Sequence, residues 1–391
     1  MKPIILDGST GAMLTKSGMP AGVCVEEWAL CHPECVRQLQ NAYIDAGSDI
    51  VYAPTFGANE IALARHGLEA RTDELNRELA KLSKDNAAGR AKVFGDLSPT
   101  GEMIFPMGTL TFGELSAVYA RQAKAMEQYV DGFVCETFMS LSELRAAFIG
   151  VRSVSDKPVY TTLTVNSDGR TLCGDALIPS LLTMQSLGAA AFGVNCVSDL
   201  PAVAPFIKEA VKYAHIPFIV KPNAGIPDTS GETPVYSMTS EDFARFMDEM
   251  LCCGVSVLGG CCGTSPAFIE AIALLKTHDM PSNEKVKADD IACTSREFFM
   301  SPPEALPEKL VCGEELMLTY DGESVPYIYV PDAESASCIA ECEMMFPCPP
   351  VFDGASPEAI AFALRIYTGR AYVKSAFELP YDGLYGAVRL I

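Results

Sequence analysis

The chain has 391 residues, 49% of them hydrophobic, enough for a large core with room for a barrel-sized unit and a smaller one beside it. Its 29 basic and 50 acidic residues give a formal charge of -21, which argues against nucleic acid or an anionic membrane as partner. The 15 cysteines, several in apolar runs or adjacent pairs, suit a reducing compartment with some metal-binding thiolates, so a cytoplasmic protein is expected.

Met1-Lys2-Pro3 runs directly into an apolar strand and an Asp-Gly turn, so no signal peptide is expected ahead of the fold. No apolar run approaches the roughly 18 residues that a membrane span needs. From residue 1 to about 277, short apolar runs alternate with longer segments of helical period. Strands are expected at Ile4–Leu6, Asp49–Ala53, Val93–Asp96, Gly132–Cys135, Val159–Leu163, Ala191–Val194, Phe218–Val220 and Val255–Leu258. Covering helices are expected at Pro33–Ala46, Glu60–Ala88, Phe112–Tyr129, Leu141–Val151, Pro179–Leu187, Pro201–Ala214, Ser240–Cys252 and Ser265–Leu275. Eight such units predict an α/β fold, a closed (β/α)8 TIM barrel rather than an open doubly wound sheet. The first turn, DGSTGAML, lacks the G-x-G-x-x-G of dinucleotide-binding folds.

Residues 278–290 are polar and charged and read as a linker. Residues 291–391 read as a small C-terminal α/β region of unknown role, with short strands at Val325–Val330 and Ala371–Lys374 and one helix, Pro357–Tyr367.

The unusual polar residues gather at the carboxyl ends of the expected strands, which share one face in a barrel. The eighth strand ends in Gly260-Cys261-Cys262-Gly263, where the glycines permit a turn that aims both sulfurs at one ion; Cys196, at the end of the sixth, is the candidate third ligand. Three thiolates leave one position on a tetrahedral zinc ion for substrate. A thiol bound there loses its proton near neutral pH and keeps its nucleophilicity, which favours attack on an activated methyl group. Hydrolytic three-cysteine zinc sites pair the metal with an H-x-E proton shuttle, and no such pattern is expected in this chain.

Asp7 and Glu136, at the ends of strands one and four, are placed to hold the ammonium of an amino-acid substrate, and the amides at Gly8 to meet its carboxylate. Asn223 either orients a loop or contacts the bound amino acid, and Asn59 either shapes its loop or contacts substrate or donor. The C-x3-C-x5-C run at Cys338, Cys342 and Cys348 matches no standard metal pattern.

The stretches LDGSTGAML, AYIDAGSDIVYAPTFGAN, GDLSPTG, Glu136-Thr137, GVNCV, KPNAGIP and GGCCGTSP, in this order over about 1–277, resemble the zinc-dependent homocysteine S-methyltransferases. By that resemblance Cys196, Cys261 and Cys262 match the family's zinc ligands, and Asp7 and Glu136 its substrate-binding acids. TFGAN and PNAG resemble the methionine-synthase branch more than the betaine branch, which implies methylcobalamin or another corrinoid as methyl donor. SPEAIAFALRIYTGRAYVKS resembles the start of that enzyme's pterin-binding module, but the remaining length cannot hold a second barrel. With no D-x-H-x-x-G segment present, the corrinoid is expected on a separate partner protein. Two other readings remain open: a different thiol acceptor or a donor such as S-methylmethionine or a betaine, and a non-catalytic zinc barrel that docks a corrinoid protein. The sequence does not constrain oligomeric state.

Overall fold

The computed structural model describes residues 2–230, 235–278, 281, 284–380 and 382–390. Eight parallel strands form one sheet: β1 (Ile4–Ile5), β2 (Ile50–Tyr52), β3 (Lys92–Leu97), β4 (Gly132–Phe138), β5 (Val159–Leu163), β6 (Ala191–Asn195), β7 (Phe218–Lys221) and β8 (Val257–Leu258). Strand β8 lies between β7 and β1, and a bridge from Leu6 to Ile50 joins the β1 segment to β2, bringing the sheet around into a barrel. All eight expected strands are present.

The barrel interior is one apolar cluster that takes Leu6, Tyr52, Phe94, Val134, Tyr160, Ala191, Ile219 and Val257 from successive strand segments. A second and larger core lies between the sheet and the helices outside it. Because side chains alternate along a strand, the residue two beyond each interior position points inward again, one layer nearer the mouth. Phe94 is thus followed by Asp96, Val134 by Glu136 and Ile219 by Lys221. The sequence loads the top layer of the barrel with charge.

The covering helices are α1 (Pro33–Asp45), α2 (Thr72–Ala87), α3 (Phe112–Met126), α4 (Leu141–Arg152), α5 (Leu177–Ser186), α6 (Leu200–Val211), α7 (Ser240–Cys252) and α8 (Pro266–Ala273). Several starts carry the expected caps: Thr111 and Glu114 form a reciprocal capping box on α3, and the Ser140 hydroxyl accepts from the Glu143 amide on α4. The single helix expected at Glu60–Ala88 is broken. A short helix at Glu60–Ala64 ends ahead of Gly67, which adopts a φ of +69°, and the chain restarts through a 3-10 turn at Glu69–Arg71 into α2. Helices at Gly11–Lys16 and Val25–Cys31, not expected from periodicity, fill the connection from β1 to α1.

The C-terminal region contains a five-stranded parallel sheet in sequential order: β9 (Leu310–Val311), β10 (Tyr327–Val330), β11 (Val351–Gly354), β12 (Tyr372–Val373) and β13 (Val388–Arg389). Helix α9 (Pro357–Ile366) covers one face. Only β10, β12 and α9 carry a sequence pattern strong enough to be expected; the other strands are short or lie in turn-rich stretches.

This sheet is pinned to the outside of the barrel. Arg145 of α4 is fully buried and donates to the carbonyls of Leu364 (3.0 Å) and Arg365 (3.1 Å), at the end of α9. Cys293 packs against Thr183 of α5 at 3.4 Å, and the Ala176 amide donates to the Ser295 carbonyl. Part of the expected linker, at 279–280 and 282–283, lies outside the described residues; the Val286 amide donates to the Lys212 carbonyl just beyond α6.

Candidate metal and thiol site

The turns that carry the cysteines are held in conformations the chain would not otherwise choose. Cys196 follows β6 with a φ of +55°, and Thr137, inside β4, has a φ of +66° where the strand's register slips. Left-handed backbone at residues other than glycine costs about 1–3 kcal/mol each and persists only where neighbours impose it. Asn195 supplies the constraint. Its Oδ1 accepts from the Thr137 amide (2.8 Å) and the Thr162 hydroxyl (2.9 Å), and its Nδ2 donates to the Thr137 hydroxyl (2.7 Å).

Asn223 does the same between β6 and β8. Its Nδ2 donates to the Cys196 carbonyl (3.1 Å) and the Ser198 hydroxyl (2.8 Å), while its Oδ1 accepts from the Cys262 amide (3.0 Å). Both ends of its amide are engaged in clamping the two cysteine turns together. A Cβ at Gly260 would lie 2.5 Å from Thr264 Oγ1, so glycine is what lets the turn close on Thr264, whose hydroxyl donates to the Cys261 carbonyl at 2.7 Å.

The sulfurs of Cys196, Cys261 and Cys262 all lie within 4.8 Å of one another, with Cys196 and Cys262 3.9 Å apart. Zn–S bonds of about 2.3 Å in a tetrahedron put sulfurs about 3.8 Å apart, so this donor set fits a zinc ion without rearranging the backbone. Donation from Cys196 and Cys261 draws the Cys262 thiol down to about 3, and the same sharing pushes Cys196 up. In the metal-free triad one thiol thus gives up its proton readily, and Cys196 and Cys261 hold theirs.

Beside it lies the charged layer of the barrel. Asp7, Asp96, Glu136 and Lys221 are all buried, and Lys221 Nζ sits 3.5 Å from Glu136 Oε2, 3.9 Å from Asp7 Oδ1 and 4.8 Å from the centre of the Tyr52 ring. Burial lifts the Asp7 carboxyl to about 7 against the opposing pull of Lys221 and the Tyr52 amide, which donates to Asp7 Oδ2 at 2.7 Å. Burial likewise lifts Glu136 to about 7 and pushes Asp96 well above its ordinary range. Burial opposes the charge on Lys221, but Glu136 and Asp7 outweigh it and keep the ammonium protonated. Three buried carboxylate oxygens, Asp7 Oδ1, Asp96 Oδ1 and Glu136 Oε2, have no hydrogen-bond partner among the described residues. Asp7 Oδ1 and Glu136 Oε2 are the atoms that face the Lys221 ammonium, at 3.9 and 3.5 Å and without a hydrogen bond.

Other residues singled out in the sequence take different places. Asn59 caps the helix Glu60–Ala64, its Oδ1 accepting from the Ala62 amide at 2.8 Å, and its Nδ2 is buried without a partner among the described residues. Gly8 lies against the Tyr43 ring and Thr264, and the next amide, of Ser9, donates to Thr264 Oγ1 at 3.2 Å. The chain does contain one H-x-E triplet, His32-Pro33-Glu34, but its histidine is stacked on Trp28 at the start of α1, with Nδ1 bonded to the Trp28 carbonyl. In the C-terminal region Cys338 approaches Cys312 at 3.4 Å rather than forming a site with Cys348.

Lys221, Asp96 and Asn195 also close or nearly close their strands as polar residues, and residue type alone gives them no role. The two-residue period counted from the interior apolar positions places Lys221 and Asp96 in the charged layer. Tyr236, whose ring would lie 2.4 Å from a Cβ at Gly263, had no sequence signal at all.

Residues 4–275 match the family model described as homocysteine S-methyltransferase. Methionine synthase of Mycobacterium tuberculosis is 27% identical over 254 residues, 62% of this chain and 21% of that protein, and methionine synthase of Mycobacterium leprae is 26% identical over 254 residues, with the same coverage. The match thus takes in about a fifth of the length of these curated relatives. Among solved structures, the homocysteine methyltransferase MmuM of Escherichia coli superposes with a TM-score of 0.60 in its oxidized form and 0.59 in its metallated form. The identities are 20% and 19%, and each match covers 70% of this chain and 96% of that one. At that identity the likeness concerns the fold.

Proposed function

The chain belongs to the homocysteine S-methyltransferase family, and on that premise we propose that it transfers a methyl group to the sulfur of homocysteine, giving methionine. The observation that carries the reading is the convergence of three cysteine sulfurs beside a buried carboxylate layer whose oxygens lack hydrogen-bond donors among the described residues. Cys196, Cys261 and Cys262 would hold a zinc ion, which supplies the Lewis acidity that lets an acceptor thiol give up its proton near neutral pH.

The protein's own residues do the positioning. Asn195 and Asn223 fix the two cysteine turns, so the sulfurs need no reorganisation when an acceptor arrives. Asp7 and Glu136 are the carboxylates available to an acceptor's ammonium, and they share their buried layer with Lys221. The acceptor thiolate then attacks the methyl carbon along the line of its leaving bond, forming S–CH3 as the bond to the donor breaks.

Similarity to methionine synthases favours a corrinoid outside these 391 residues as the donor, presented at the barrel mouth. We assign residues 1–277 to the homocysteine-binding barrel, 278–290 to a linker and 291–391 to a region that braces the barrel from outside. No described helix is long and apolar enough to cross a membrane, and a cytoplasmic setting is part of the proposal.

The test is zinc content together with homocysteine binding in wild type and C261S. One tightly bound metal, direct sulfur coordination of homocysteine and release of a proton are expected in wild type and lost in the variant. Metal without any response to homocysteine would redirect the reading to another acceptor, and wild-type protein that binds no metal would end it.

A further inference from the structure

The carboxylates assigned to the acceptor's ammonium already have a cation. Lys221 closes β7, and its side chain enters the barrel above Ile219, almost wholly shielded from solvent. Its ammonium lies between Glu136 Oε2 at 3.5 Å and Asp7 Oδ1 at 3.9 Å, over the face of Tyr52. The stem runs against the backbone of Gly259, where a Cβ would come within 3.1 Å of Lys221 Cγ. A lysine walled in this way is part of the barrel's top layer and not a surface side chain that happens to reach inward.

An ammonium that hydrogen-bonds to both Asp7 and Glu136 must come within about 3 Å of each oxygen, and so into the space beside Lys221 Nζ. Two cations then contest one pair of carboxylates in a water-poor site, and the second gains much less than the first. The third carboxylate does not restore the balance, because burial favours the neutral form of Asp96.

We propose that Lys221 is a specificity-determining residue that discounts the acceptor's amino group, so that the site selects small thiols by sulfur and carbon chain and takes acceptors lacking an α-ammonium nearly as well as homocysteine. The inference rests on the reading that the three cysteines hold a metal which takes the acceptor sulfur, with Asp7 and Glu136 beside it.

The experiment loads wild type, K221M and K221R with Co2+ and titrates each at pH 8 with homocysteine and with 4-mercaptobutanoate, the same thiol without its amino group. The change in cobalt absorption on sulfur coordination reports binding without needing a methyl donor. Wild type is expected to favour homocysteine by less than about tenfold. K221M removes the competing charge at nearly constant shape and is expected to widen that preference by about tenfold or more, while K221R keeps the wild-type ratio. A wild-type preference well beyond tenfold overturns the proposal, and this holds even if K221M does not fold. So does a folded K221M whose ratio is unchanged. Failure of the underlying reading looks different: neither thiol then alters the cobalt spectrum.

Discussion

At the barrel mouth, Cys196, Cys261 and Cys262 place their sulfurs within 4.8 Å of one another and remain partly exposed. In the C-terminal region, Cys312 and Cys338 approach to 3.4 Å, with Cys342 one helical turn further on, and all three are buried. The mouth triad is the one cysteine, histidine or carboxylate group among the described residues whose ligand atoms all converge on a common centre. The C-terminal cysteines behave as small apolar side chains inside a sheet-and-helix core, which is the ordinary fate of a buried cysteine. Proximity of sulfurs is thus insufficient. The mouth adds strained turns that aim the side chains, asparagine clamps that hold them and an open side for a fourth ligand.

The largest effect that separates the two regions is on metal. Cys261→Ser is expected to lower zinc affinity by about 100-fold or more, whereas Cys338→Ser leaves one metal per chain. Zinc retention against a chelator series reads both, and a second zinc lost in Cys338→Ser would break the distinction.

The next effect lies at the seam that joins the two regions. Arg145→Met leaves the carbonyls of Leu364 and Arg365 without their donor and is expected to cost about 2–4 kcal/mol, measured by urea unfolding. Unfolding of the C-terminal sheet ahead of the barrel in that variant would show how far the tail depends on the seam.

A more local change sharpens the account of the mouth. Asn223→Ala frees the Cys196 and Cys262 turns from each other and is expected to weaken zinc binding by about 10–100-fold. Thermal unfolding of the metal-free variant should fall by only about 1–2 kcal/mol in stability. If metal affinity is unchanged, the clamp is not what positions the sulfurs.

The effect that is smallest per unit change is that of pH on metal-free protein, spread over about three pH units. Asp7 titrates near 3.8 in an unfolded chain and at about 7 when folded, so between those values the folded state holds a proton that the unfolded state has released. Stability from this group is therefore highest below about 4, falls as pH rises to about 7 and is level above, with a slope of at most about 1.4 kcal/mol per pH unit. Asp7→Asn is expected to flatten that fall in a series of urea unfolding curves. An unchanged slope would mean that the charged layer does not titrate as a buried group.

How much was legible depended on the kind of signal. Eight apolar runs with helical segments between them gave the barrel strand by strand, because strand and helix periods are local properties of the chain. The break at Gly67 was missed because helix formers continue on both sides of it, and one glycine with positive φ decided the matter. In the C-terminal region, β9 and β13 are two residues each and lie in turn-rich stretches, too short for any period to register. The cysteines and the acids at strand ends were visible by residue type and by position at a barrel's carboxyl face.

The amino-acid sequence by itself determined the alternation that makes a barrel, the residue types at its mouth and the resemblance of 1–277 to one family. It could not determine distances between strand ends that are up to 255 residues apart yet share a hydrogen bond, as Ser9 and Thr264 do. Tertiary structure decided that Asn223 clamps the cysteine turns, that Lys221 sits against Asp7 and Glu136, and that Arg145 holds the C-terminal sheet to the outside of the barrel. The physical reason is the same in each case. The energy of a buried charge or amide is set by the groups that closure of the barrel brings around it, and these are neighbours in space and not along the chain.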